Sequence, residues 1–385
     1  MPTWLKATAP LFLLAVLVFA FLRVGPLGVF RAAFPPVEEL TVERITLPRP
    51  AEMRVHVING GPEPVTIAQV LVDDAVWGHV VDGGKTLERL ASRVISIPYP
   101  WVQGEPHVVK LISSTGLTFE GTVAIATQTP SPDARYVITF ALLGLYAGVI
   151  PVFLGLLWFP FIRTVRREWL DFFLCLTIGL LLFLGAEALA EAFETAARVP
   201  RAFQGLGVIL LGALATFLAL GAFGRQRARA GGGHQALYVA TLIALGIGLH
   251  NLGEGLAIGT SYATGEIAFG TFLVVGFLLH NTTEGLGILA PLAKEQPTLG
   301  QLAWLGTLAG VPTIVGAWIG GFTSSAVWTT LFLAVGAGAI AQVVVELWRL
   351  FAKRAEAGGL TSPRNVAGLL TGLVIMYATG LLVPA

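Results

Sequence analysis

Cys175 is the chain's one cysteine, so the sequence holds neither a disulfide framework nor a CxxC zinc site. Charge is scarce as well. Asp, Glu, Lys and Arg make up 12% of the 385 residues, against about 25% in soluble globular domains. That scarcity excludes a soluble enzyme and a disordered chain. Neither sign dominates: 24 Lys and Arg face 23 Asp and Glu, a formal net charge of +1. Nothing therefore draws the chain to the phosphates of nucleic acid. What fills the sequence is apolar. Hydrophobic residues reach 55%, with 46 Gly and 22 Pro among long apolar runs, and mean hydropathy is +0.77. The chain reads as a polytopic α-helical membrane protein embedded in a lipid bilayer.

Three regions follow from the pattern. Residues 1–30 hold an apolar run, 9–22, with Lys6 ahead and Arg23 behind. It is short for a span, and reads as a signal-peptide core or an uncleaved signal anchor. No convincing small-residue cleavage site follows, because Arg31 interrupts the stretch. Residues 35–130 regain charge and alternate with period two. Met53–Val57, Val65–Val72, Val76–Val81, Val108–Ile112 and Phe119–Ile125 alternate, with Asn59-Gly60-Gly61-Pro62, Asp82-Gly83-Gly84 and Ser114-Thr115-Gly116 as turns. Short strands at regular spacing predict a small β-sandwich. Its His56, His79 and His107 have no ligand spacing and read as ordinary strand and loop histidines. Residues 136–385 read as eight spans, near 136–160, 170–193, 201–223, 236–260, 266–291, 299–321, 326–350 and 364–383.

Charge orients these spans. Arg163, Arg166 and Arg167 follow the first, Arg225, Arg227 and Arg229 the third, Lys294 the fifth, and Arg349, Lys353, Arg354 and Arg364 flank the loop after the seventh. The other loops hold only Arg198 and Arg201. The positive-inside rule makes the odd loops cytoplasmic. The β domain and the C-terminus are then extracytoplasmic, in a multi-pass protein of the plasma (inner) membrane.

Two spans carry near-copies of one polar string. The fourth holds His250-Asn251-Leu252-Gly253-Glu254-Gly255, and the fifth, thirty positions later, His280-Asn281-Thr282-Thr283-Glu284-Gly285. On a helix, residues i and i+4 lie about 40° apart and i+1 about 100° from i. Imidazole, amide and carboxylate thus share one face. Successive spans run antiparallel, so two such faces can meet near the midplane. An ionisable side chain there costs about 2.5–3.5 kcal/mol on the insertion scale. A divalent cation compensates it, since His nitrogen and carboxylate oxygen are ligands for zinc and similar metals. The other reading is a hydrogen-bonded polar zipper that binds nothing.

These residues resemble the ZIP family of metal-ion transporters, whose fourth and fifth of eight spans carry HNxPEG-like strings. The resemblance covers about 136–385. It implies the ZIP fold and transport of a divalent metal, zinc first, with iron and manganese as alternatives, and no organic cofactor. His250, Asn251, Glu254, Asn281 and Glu284 would form the centre, with His280 at its edge. The motif proline is replaced here by Gly253 and Thr283. The Glu that precedes a proline in the sixth span of many relatives appears as Val311, in Gly310-Val311-Pro312, which favours one metal over two. The third loop offers one histidine, His234, where relatives are His-rich. Glu346 matches an acidic position of the seventh span, as an exit ligand or as a partner of Arg349 at i+3. Glu187, Glu191 and Glu194 form an acidic entrance or a solvated helix end. The β domain is an addition to the family plan, a surface for an extracytoplasmic partner or for a homodimer. Two rival functions remain open at this point. One is an intramembrane zinc hydrolase with His250, Glu254 and His280 as ligands and Glu284 activating water. The other is a membrane metal sensor.

Overall fold

The computed structural model describes residues 3–24, 37–229, 235–323, 325–354 and 361–381. His234 and Arg31 lie outside them. The chain opens with helix α1 (Thr3–Val24), whose described side chains, residues 8–21, are all exposed. Nine strands follow: β1 (Leu40–Arg49), β2 (Glu52–Asn59), β3 (Val65–Val72), β4 (Ala75–Trp77), β5 (Val80–Val81), β6 (Thr86–Leu87), β7 (Ser92–Ile97), β8 (His107–Ser113) and β9 (Thr118–Val123).

They build two antiparallel sheets, one in the order β1-β2-β7-β5, the other β4-β3-β8-β9 with β6 added to β3. Alternation drives this arrangement. Met53, Val55 and Val57 of β2 and Ile95 and Ile97 of β7 point inward from one sheet. Val65, Ile67, Val70 and Val72 of β3 and Val109 and Leu111 of β8 meet them from the other. β1 and β7 lie outside the alternating runs legible in the sequence. A register shift between Val42 and Arg44 breaks the period of β1.

Two of the three domain histidines are tied into the sheets, one in each. His107 Nδ1 lies 2.8 Å from Asp73 Oδ2, which also accepts from the Tyr99 hydroxyl at 2.8 Å. The Val108 N–H donates to Asp73 Oδ1 at 2.9 Å. Burial raises the Asp73 pKa, but these hydrogen bonds outweigh it and hold the carboxyl below its usual range. His56 stands opposite Arg44 in the β1–β2 pairing. Burial, and then the charges of Arg44 and Arg54, push its pKa from 6.5 down to about 4. A histidine whose folded pKa is depressed binds its proton more readily when unfolded. It therefore withdraws stability as pH falls from about 6.5 to about 4. Thermal unfolding of the wild type should lose stability across that window, and His56→Gln should flatten the loss. An unchanged slope would contradict this account of His56.

The helical part begins at α2 (Ala134–Gly144), passes through a π-helical turn (Leu145–Val149) into α3 (Ile150–Leu156), and turns into α4 (Phe159–Thr164). The sequence predicts one span over 136–160; its interruptions coincide with Pro151 and Pro160, which have no N–H to donate. Then come α5 (Arg167–Ala196), α6 (Gly205–Arg229), α7 (Gln235–Ala263), α8 (Ile267–Leu289), α9 (Leu299–Thr323), α10 (Ala326–Arg354) and α11 (Pro363–Gly380). Among the described residues, seven helical segments are long and apolar enough to cross a membrane, from Ala134–Thr164 to Ala326–Ala352. The last helix, α11, is 18 residues long with Arg364 and Asn365 in its first turn. It packs against α5.

Glycine sorts the helices into two groups. A Cβ on Gly255, Gly259, Gly316 or Gly320 would stand 2.1–2.2 Å from a main-chain carbonyl of the facing helix, which locks α7 to α9. Gly155 and Gly285 do the same for α3 and α8, and Gly144 abuts the Ile314 backbone of α9. A second set joins α5 to α11 through Gly179, Gly368 and Gly372, and α10 to α6 through Gly338. Between the groups, Gly246 and Gly253 of α7 meet side chains of α10 (Val343 and Leu333), and Gly287 of α8 meets that of Thr177 on α5. The tightest contacts within each group are glycine against backbone at 2.1–2.4 Å, whereas between the groups the contacts are looser and mostly with side chains, with Gly336 of α10 3.2 Å from the Leu249 carbonyl as the backbone exception.

The β sheets sit at one end of the bundle. Arg44 Nη1 donates to the Thr323 carbonyl at 2.6 Å, at the C-terminal end of α9, where a cation is favoured. Glu39 Oε1 accepts from the Arg201 N–H at 3.2 Å, and Gly265 packs against Ile125 and Thr127. These contacts are made with the ends that follow the second, fourth and sixth spans. Lys294, after the fifth span, instead donates to the Val165 carbonyl after the first at 2.7 Å. The odd and even loops thus separate, as the charge pattern requires.

Candidate metal centre

The two polar strings lie on α7 and α8. His250 and Glu254 are one turn apart on α7, and His280 and Glu284 one turn apart on α8, so each pair shares a face. The faces meet. His250, Asn251, Glu254, His280, Asn281 and Glu284 are each at most 5% exposed.

Glu254 stands between the imidazoles. Its Oε1 lies 3.3 Å from His250 Nε2 and is hydrogen-bonded to His280 Nε2. Its Oε2 accepts from Asn281 Nδ2 at 2.8 Å. Ligand atoms of His250, His280 and Glu284 all lie within 4.8 Å of one another. A tetrahedral ion with ligands at about 2.0–2.1 Å holds them about 3.3 Å apart. Small side-chain rotations would close this set on one ion. His280, which the resemblance sets at the edge, stands inside the cluster.

The cluster is rich in acceptors and poor in donors. Both Glu284 oxygens, Asn251 Oδ1, Asn281 Oδ1 and His250 Nδ1 are buried without a hydrogen-bond partner. Buried polar groups are rarely left so, and an unpaired one is costly in a medium without water. The polar-zipper reading requires these atoms to satisfy one another, and they do not. Two imidazoles and a carboxylate whose ligand atoms gather within 4.8 Å of one another are what a divalent cation satisfies. Two carboxylates would balance its charge.

Both asparagines are oriented by main chain. Asn251 Nδ2 donates to the Ala309 carbonyl of α9 at 3.1 Å, and Asn281 Nδ2 to the Ala147 carbonyl of the π turn at 2.9 Å. Sequence reasoning missed these two carbonyls. For Ala147 the available signal was Pro151, four residues on; Pro312 leaves the Leu308 carbonyl without a donor, not that of Ala309.

The remaining candidates lie elsewhere. Glu346 of α10 is outside the cluster, its Oε1 2.7 Å from Arg349 Nη1 and 3.2 Å from Gln342 Nε2. Val311 is 36% exposed on the outer side of α9. Glu187 and Glu194 are exposed and Glu191 is half-buried. Glu191 and Glu187 stand close enough to His250 for their charges to interact.

Fold and cluster together define a multi-pass membrane protein with a charged ligand set walled inside its helices, the class to which ion carriers belong. Over residues 224–379, which include both strings, the chain matches the family model described as ZIP Zinc transporter. This match supports a divalent-metal transporter. No curated protein matches the chain.

Proposed function

We propose that the protein carries zinc, or a closely similar divalent ion, across the plasma membrane toward the cytoplasm. The ion binds at one centre built by His250, Glu254, His280 and Glu284, with the Asn251 and Asn281 oxygens beside it. The observation that carries this reading is the group of buried, unpartnered acceptors on α7 and α8. The centre takes one ion, since two carboxylates neutralise one divalent charge and Val311 brings no third.

The step at the centre is ligand exchange without bond chemistry. A hydrated ion arriving past Glu187 and Glu191 exchanges water for imidazole and carboxylate. The four charged or imidazole ligands stand on the group formed by α2–α3, α7, α8 and α9. That group is locked internally by close glycine contacts and meets the other mostly through side chains, at looser distances. It can therefore shift as a block against α5, α6, α10 and α11, a shear motion that exposes the same centre to the other side. Glu346, paired with Arg349, serves the cytoplasmic rim in this scheme. The β sheets face the outside, over the ends of both groups.

Uptake into liposomes holding a metal-sensitive dye tests the reading. Purified protein should give saturable influx of zinc, and ranking zinc, iron(II), manganese and cadmium fixes the selectivity. Stoichiometric binding without flux would favour a sensor and overturn the transport reading.

A further inference from the structure

Span 1 carries no ionisable residue near the centre, yet it touches it. The contact is a main-chain carbonyl. In an α-helix the carbonyl of residue 147 accepts from the N–H of residue 151. Here residue 151 is proline, which has no N–H. One turn earlier the helix widens into the π turn Leu145–Val149, where the Ile150 N–H reaches back to the Leu145 carbonyl. Such turns recur at functional sites. The Ala147 carbonyl, left without its α-helical donor, accepts from Asn281 Nδ2 at 2.9 Å.

The second N–H of that amide goes to Glu254 Oε2 at 2.8 Å. Both neighbours of the nitrogen are therefore acceptors, which fixes which way the amide faces. Asn281 is fully buried, and its Oδ1 has no hydrogen-bond partner.

We propose that Pro151 is a positioning residue for metal binding: by leaving the Ala147 carbonyl to Asn281, it fixes the amide so that one N–H aligns Glu254 and Oδ1 is presented to the ion. This rests on the reading of the His/Glu cluster as the metal centre. In physical terms, Pro151 acts on the ion through two hydrogen bonds, and restoring an N–H at position 151 gives the helix a competing claim on the same carbonyl. The amide then loses the partner that sets its orientation. Losing an outer partner of this kind costs about 10–100-fold in metal affinity.

The test is a double-mutant cycle on zinc affinity, measured by titrating zinc into the full chain in lipid nanodiscs. Pro151→Ala should weaken binding about tenfold, although alanine is the better helix former. Asn281→Ala should weaken it further. The double variant should bind no worse than Asn281→Ala alone, because Pro151 acts only through that amide. Additive losses, or wild-type affinity in Pro151→Ala, overturn the proposal. Asn281→Asp gives an arm that leaves the helix untouched. It has no N–H to offer either acceptor, so binding weaker than wild type supports the proposal. Equal or tighter binding, as added negative charge alone would give, overturns it. His250→Ala separates the two levels. If zinc binding survives that change, the metal-centre reading itself fails. If it is lost while the cycle is additive, only the role of Pro151 fails.

Discussion

Glu284→Gln should end metal uptake while leaving the protein folded. Neither Glu284 oxygen has a hydrogen-bond partner in the protein, so the carboxylate contributes little to holding α8 in place. Glutamine keeps its shape and removes one negative charge. A divalent ion at the centre would then face Glu254 alone, and one positive charge would remain uncompensated where water does not reach. Uncompensated buried charge is strongly unfavourable. Affinity should fall by more than about a hundredfold, the upper end of what losing an outer-shell partner costs. Initial zinc influx into dye-loaded liposomes reads this directly. Glu254→Gln should also stop uptake, but it is less diagnostic. Glu254 joins His250, His280 and Asn281, so its loss disturbs their orientation as well as the charge. Uptake in Glu284→Gln at the wild-type rate and half-saturation would remove this residue from the pathway.

The second large effect concerns packing. Gly255→Val should cost the folded state. A Cβ at this position would lie 2.1 Å from the Thr313 carbonyl and 2.9 Å from the Ala317 nitrogen. Both are main chain, so no side-chain rotation relieves the clash. Membrane helices associate by close packing of small residues, and α7 and α9 use four such glycines in register. Overpacking costs about 1–3 kcal/mol and occasionally more, so Tm should drop by roughly 2–10 °C. Gly78→Val is the control, because no atom lies within 4 Å of its added Cβ. Equal melting of the two variants, with uptake retained, would contradict the tight α7–α9 interface on which the block motion depends.

Much of this was legible in the sequence for simple reasons. A span is long and apolar, and a polar string inside it stands out against that background. Two copies on successive spans predict faces that meet, because neighbouring spans run antiparallel. Strands β2, β3 and β8 were legible by alternation. β1 was not, because Glu43 and Arg44 sit at a register shift, and Arg44 turns toward α9. Nor was the link from His107 to Asp73, which depends on a β3–β4 turn placing residues 34 positions apart side by side. The π turn in span 1 and the carbonyls that hold Asn251 and Asn281 are contacts of main chain with distant side chains. Hydrophobic periodicity carries no signal for these. Proline does so for one of them, since Pro151 marks where the helix leaves the Ala147 carbonyl without a donor.

X-ray absorption at the zinc edge tests the central claim most directly. With one equivalent of zinc bound to the full chain, the spectrum should show about four nitrogen or oxygen neighbours near 2.0–2.1 Å and no sulfur. The multiple scattering of two imidazoles should be present, one lost in His250→Ala and the other in His280→Ala. A zinc shell without imidazole, or one unchanged by both substitutions, would place the ion elsewhere and contradict the account.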